Sequence, residues 1–154
     1  MKAKILYTVG AVALLSACSS SMNNLPNVPL DPPKKVQAGF IRLSPVTQYY
    51  VDTTSIWAEN EHKNLVNFDT VINLNNGKRI YQDNKLVSHS IREHKVLNCS
   101  DWKLTHTGLD YYSEFWGTGA VYTPKWQSQR NVTLQPNSSL GTVAQVICAN
   151  FVNH

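Results

Sequence analysis

The chain has 154 residues, a formal net charge of +4 and only 16% charged residues. That length supports one domain with a real core, and basicity this mild gives no argument for a nucleic-acid partner. Three cysteines are too few for a disulfide-dense scaffold, so their placement, not their number, carries the information.

The N-terminus reads "MKAKILYTVGAVALLSACSS". Lys2 and Lys4 form a positive lead, and residues 5–13 form an apolar run shorter than the ~20 residues a membrane-spanning helix needs. This is the pattern of a secretory signal peptide over residues 1–17. Its end, Leu15-Ser16-Ala17-Cys18, matches a bacterial lipoprotein processing site, in which the Cys18 sulfur takes a diacylglycerol and becomes the mature N-terminus. Ser19 stands where an Asp would signal retention at the inner membrane, so the expected address is the outer membrane through a lipid anchor. Several acyl chains together make such an anchor stable. Lys2 and Lys4 leave with the signal, which lowers the charge of the mature chain to about +2.

Residues 18–37 comprise the lipidated N-terminus and a stretch rich in Ser, Asn and Pro without apolar periodicity, expected to be a flexible tether. Extended at about 3.1 Å per residue, it reaches up to roughly 60 Å. The folded domain is expected over residues 38–154.

From Gly39 onward, short apolar and β-branched runs alternate with turn residues. "GFIRLS" sets Phe40 and Arg42 on one side and Ile41 and Leu43 on the other. "QYYVDTTSIW" (48–57) and "NLVNFDTVINL" (64–74) follow, and Asn75-Asn76-Gly77 predicts a hairpin turn into "KRIYQ". "SIREHKVLNC", "WKLTHTGLDYYSEFW", "VYTPKW" and "RNVTLQ" complete about six strands with no helical pattern between them, which argues an antiparallel meander.

The last segment changes period. Leu140, Val143, Ala144, Ile147, Cys148 and Phe151 fall on one helical stripe, with Ser138 or Ser139 placed to cap it. Gly141 costs that helix about 1 kcal/mol relative to Ala. The fold class is therefore α+β: an antiparallel sheet with a C-terminal helix on one face and the other face left largely open.

With Cys18 lipidated, Cys99 and Cys148 remain, in an oxidising compartment where a pair reads as one bridge. Closing a loop of about 50 residues contributes roughly 4 kcal/mol in the chain-entropy account. The bridge would pin the apolar stripe of the helix to the sheet. A metal site would need C-x-x-C spacing, which is absent.

His89, His94 and His106 are candidate metal or haem ligands, but their spacing of five and twelve residues fits no known ligand motif, so no metal is expected. Tyr111, Tyr112, Phe115, Trp116, Tyr122 and Trp126 suit sheet packing, or the stacking of a sugar or haem. For catalysis there is no H-E-x-x-H, G-x-S-x-G or phosphate-cradling loop, and an enzyme is not expected. Asp52, Asp69, Asp101 and Glu114 could pair only through the fold.

"GFIRLSPVTQYYVDTTSIW", "SIREHKVLNC", "DYYSEFWGTG" and "AQVICANF" together resemble the protein E family of surface adhesins found in the outer membrane of Haemophilus. The resemblance runs from Gly39 to Phe151, in the same order and with the cysteines at matching places. It implies a six-stranded antiparallel sheet with a disulfide-tied C-terminal helix. It further implies binding of host vitronectin, laminin and plasminogen, an association with haem (for which His94 is the candidate here), and a possible homodimer. In the family, host binding centres on the basic strand before the first cysteine. Carried over by position, Lys85, Arg92 and Lys95 keep their charge. Leu86 and His89 stand where the family has basic residues, and His94 replaces an aromatic. The expected host-protein site is Lys85, His89, Arg92 and Lys95, less basic than in the family and dependent on salt-screened attraction. The competing expectation is a periplasm-facing envelope lipoprotein of the same fold.

Overall fold

The computed structural model describes residues 27–59, 64–80 and 86–152. The signal peptide, Cys18 and Lys85 lie outside the described residues. The strands are β1 (Val28–Pro29), β2 (Phe40–Arg42), β3 (Tyr49–Ala58), β4 (Leu65–Asn73), β5 (Asn76–Gly77), β6 (Ser90–Asn98), β7 (Lys103–Tyr112), β8 (Val121–Tyr122) and β9 (Arg130–Thr133). A 3-10 turn occupies Phe115–Gly117, and the helix α1 spans Ser139–Phe151.

Four long strands, β3, β4, β6 and β7, form the middle of an antiparallel sheet in the order β2-β3-β4-β6-β7-β8, with β9 also on β7. β8 pairs with the end of β7 at Tyr111 and Tyr112, and β9 with its start at residues 103–106. Between them the edge of β7 is satisfied by a side chain: Gln127 Oε1 accepts from the Leu109 amide at 2.5 Å and its Nε2 donates to the Leu109 carbonyl at 3.0 Å.

On one face Val51, Val66, Phe68, Leu97 and Leu104 meet Leu43, Leu134 and the helix residues Ala144 and Ile147 in the apolar core. The Ser138 hydroxyl accepts from the Gly141 amide at 3.0 Å and caps the helix. Gly141 has a reason the sequence hides: a methyl there would run into the Gln135 carbonyl oxygen. Cys99 and Cys148 form the disulfide, with Cα atoms 5.6 Å apart, and tie the end of β6 to the helix.

Three expectations are corrected. Asn76 and Gly77 are not a hairpin turn; they form β5 and pair with Val28 and Pro29, and the Leu30 amide donates to the Asn75 carbonyl at 2.9 Å. Part of the stretch expected to be a free tether is therefore docked, because an extended Val-Pro-Leu segment finds an unpaired edge. Among the described residues a single isolated bridge, Arg79 to Val87, continues toward β6. Lastly, the second face of the sheet is open only in part, around His94. The turn Phe115–Gly117 folds over it, and buried Trp116 packs 4.9 Å from Phe40 and 4.7 Å from Tyr50, ring centre to ring centre. Trp116 sits at φ 66°, held there by its amide donating to Asn73 Oδ1 at 2.8 Å. The next amide, of Gly117, donates to Ser90 Oγ at 2.9 Å.

Candidate functional site

The run Arg92-Glu93-His94-Lys95 in the middle of β6 alternates across the sheet, so two side chains go to each face. None of the four is a simple solvated charge.

Under the Trp116 turn, Arg92 Nη1 donates to Asp52 Oδ2 at 2.7 Å and to Asp69 Oδ2 at 3.0 Å. These acids are 40 and 23 residues away in sequence and are adjacent only because β3, β4 and β6 are neighbours. Burial opposes both charges. It is outweighed at Asp52 by hydrogen bonds from Thr54 and Arg92, which hold the carboxyl below its ordinary range, and at Arg92 by Asp52 and Asp69, which hold the guanidinium up. Asp52 also shapes β3, where its Oδ1 accepts from the Thr54 amide at 3.0 Å and the Thr54 hydroxyl at 2.6 Å. The register of β3 against β4 shifts at this bulge between Asp52 and Trp57, and Ser55 Oγ accepts the Asp69 amide at 2.8 Å.

His94 lies beside this group, with Nδ1 2.8 Å from Asp69 Oδ1 and Nε2 3.0 Å from Asp110 Oδ2. Burial disfavours its charge, but hydrogen bonds to Asp110 and Asp69 outweigh burial and raise its pKa above the ordinary value. Two carboxylates on two ring nitrogens suit an imidazolium, which has two donors and no lone pair to give. His94 therefore does not fit the axial haem ligand expected of it.

On the helix side, Lys95 is only 1% exposed. Its Nζ donates to Glu93 Oε2 at 2.7 Å and to His106 Nδ1 at 2.9 Å. Glu93 Oε2 also accepts from Thr70 Oγ1 at 3.0 Å. Burial lowers the Lys95 pKa, partly offset by Glu93; His106 is lowered by burial and by the Lys95 charge. At Glu93 burial pushes up, yet the Lys95 hydrogen bond prevails and the carboxyl stays below its ordinary value.

The expectation that Arg92 and Lys95 are surface cations is thus corrected: both are engaged inside the fold. A charged residue in a half-buried strand usually faces water. The acids that draw Arg92 inward are far away in sequence, and Lys95 is held by Glu93 two residues along together with His106 on the next strand. His89 is half-buried, its ring edge-on to Phe115 at 5.1 Å. Lys78 and Arg79 are exposed, and the Arg79–Val87 bridge sets them beside residues 86–89. Sequence reasoning missed these two because it assigned them to a hairpin strand. Of the other acids, Asp101 meets exposed Lys103 at 3.2 Å and Glu114 is exposed. Among the described residues no group of three or more His, Cys, Asp or Glu side chains is arranged to hold a metal ion, and no helix is long and apolar enough to cross a membrane.

A cleft of about 470 Å³ opens on the helix-side face beyond the helix itself, lined by Glu93, His106, Tyr111, Trp126 and Arg130 among others. Its outer wall is the segment between β8 and β9 that Gln127 fastens to β7. Trp126 is 92% exposed at its rim.

A family model described as Surface-adhesin protein E matches residues 40–149. A Surface-adhesin protein E of Haemophilus influenzae, strain Rd, is 40% identical over 150 residues, covering 96% of this chain and 93% of that protein. Its counterpart from a second strain is 39% identical over the same length. The solved structure of Haemophilus influenzae protein E aligns with a TM-score of 0.75 at 40% identity, covering 83% of this chain and 97% of that one. Protein E from a non-typeable strain gives 0.75 at 41% identity, covering 82% of this chain and 86% of that one. A sheet of this order with its helix tied down by Cys99–Cys148, matched over most of its length by both sequence and structure, makes this chain a member of the surface-adhesin protein E family.

Proposed function

We propose that this chain is a lipid-anchored outer-membrane adhesin, displayed on the cell surface, that binds host matrix and serum proteins of the vitronectin, laminin and plasminogen kind. The observation that carries the reading is 40% identity across nearly the whole length of a relative that bears the name surface adhesin. The signal-like N-terminus ending in Leu15-Ser16-Ala17-Cys18 supports the anchor. For the contact surface we favour the end of the sheet around residues 78–80 and 86–89. Exposed Lys78 and Arg79 stand beside Val87 and half-buried His89 there, and Lys85 belongs to the same stretch of chain. Arg92 and Lys95 support that surface by fixing β6 from within.

A homodimer belongs to the same reading, and exposed Ile41, Val146 and Phe151, flanking an apolar cleft between β2, β3 and α1, are the surface it would cover. The test is binding of the full chain, in detergent, to immobilised vitronectin, laminin and plasminogen across a salt series. Binding should weaken as salt rises. The triple change Lys78→Ala, Arg79→Ala, Lys85→Ala should weaken it further at low salt. No binding to any of the three, or no labelling of intact cells by an antibody to the domain, ends the adhesin reading.

A further inference from the structure

The cleft beside β9 carries chemistry that protein binding at the far end of the sheet does not use. Lys95 is an ammonium with donors only, so the His106 Nδ1 it contacts at 2.9 Å must accept, which leaves the His106 proton on Nε2. Lys95 thereby sets the tautomer of a ring that lines the cleft and gives it an N–H to offer. Burial and the Lys95 charge keep that imidazole neutral. Glu93 uses Oε2 for Lys95, Thr70 and Tyr49, while Oε1 takes no hydrogen bond among the described residues. Its side chain retains 22% exposure at the cleft. Arg130, paired in register with His106, lines the same cleft and forms no ion pair among the described residues. Tyr111 and the exposed Trp126 add aromatic faces.

We propose that this cleft binds a carboxylated sugar unit of a glycan, with Arg130 on the carboxylate, Glu93 Oε1 and His106 Nε2 on ring hydroxyls, and Trp126 against the apolar face of the ring. A planar guanidinium matches a carboxylate in two parallel hydrogen bonds. One uncommitted acceptor beside one committed donor is the complement of a sugar diol. A doubly charged phosphate or sulfate fits less well, because the Glu93 carboxylate faces it across the cleft. The volume of about 470 Å³ lies within the range of small-molecule sites. Gly108 keeps the wall in place, since a methyl there would overlap Gln127 Oε1. This inference goes beyond the proposed adhesion to host proteins and does not depend on it.

The test uses the full chain in detergent and saturation-transfer NMR with three probes: sialyllactose, a hyaluronan oligosaccharide and neutral lactose. The expected result is binding of sialyllactose, hyaluronan or both at least about tenfold more tightly than lactose, the size of one lost charge-assisted hydrogen bond. Sialyllactose alone assigns a terminal acidic sugar; hyaluronan alone assigns an internal uronic acid. Arg130→Gln should abolish the preference over lactose. Trp126→Ala should weaken all probes together, and Gly108→Ala should weaken them by displacing Gln127. Arg130 and Trp126 are exposed, so both variants keep the fold, checked by circular dichroism. No acidic probe bound at millimolar concentration, or an acidic preference intact in Arg130→Gln, overturns the proposal.

Discussion

On the helix side of the sheet, Val51, Val66, Phe68, Leu97 and Leu104 bury apolar surface against Ala144 and Ile147, and a disulfide holds the lid down. On the other side, Arg92 sits between Asp52 and Asp69 beneath one tryptophan turn, and His94 beside it bridges Asp69 and Asp110. The first face is held mainly by area and a covalent bond, which salt and pH barely touch, with the buried Lys95–Glu93 pair at its side. The second is held by charges that are partly desolvated, so each is safe only while its partner is present. What looks in sequence like one basic strand is two different devices back to back.

Breaking the covalent part should have the largest effect. Cys99→Ala with Cys148→Ala opens a closed loop with a sequence separation of 49 and should cost roughly 4 kcal/mol in urea unfolding. The loss should be nearly the same at pH 5.5 and pH 8.5. Arg92→Leu is next: it leaves Asp52 without its cation and Asp69 with His94 alone, and about 3 kcal/mol should be lost. Doubling that change with Asp52→Asn and Asp69→Asn should recover part of the loss, whereas an undiminished loss would mean Arg92 acts by packing alone.

The smallest effect is the one that depends on pH. The His94 pKa is raised above its ordinary value of 6.5, so its stabilisation is fully present below that pH. It is lost as pH rises through the raised value. Asp52 and Glu93 are depressed and act in the opposite sense, contributing above the ordinary carboxylate range and failing as pH falls through their lowered values. His106, also lowered, likewise disfavours acid, but it cancels when a variant is compared with wild type. His94→Gln should therefore be less stable than wild type at pH 5.5 and approach it by pH 8.5. A gap that widens toward alkaline pH would place the imidazole in its neutral form.

The helix and the cysteine pair were legible because they are written in one short stretch each: a stripe of period 3.6 and two cysteines in an oxidising setting. The long strands were legible from β-branched and aromatic runs. What stayed hidden was whatever depends on a partner far along the chain. Asn75-Asn76-Gly77 has turn composition, yet Val28 and Pro29, some 50 residues earlier, claim its edge. Lys95 looks like a solvent cation until Glu93, two residues along the same strand, and His106 on the next fold onto the same face. Trp126 stood out only as one of several aromatics suited to sheet packing or to stacking, and Arg130 carried no local signal, since a cleft is made by strand order and not by spacing.

The central claim is that the cations Arg92 and Lys95 of β6 work inside the fold and do not meet host proteins directly. Lysine acetylation of the native full chain by a water-soluble succinimidyl acetate, mapped by mass spectrometry against time, tests it most directly. Exposed Lys78, Lys103 and Lys125 should be modified early, while Lys95 should stay unmodified until urea unfolds the chain. Acetylation of native Lys95 at the rate of those three would contradict the account.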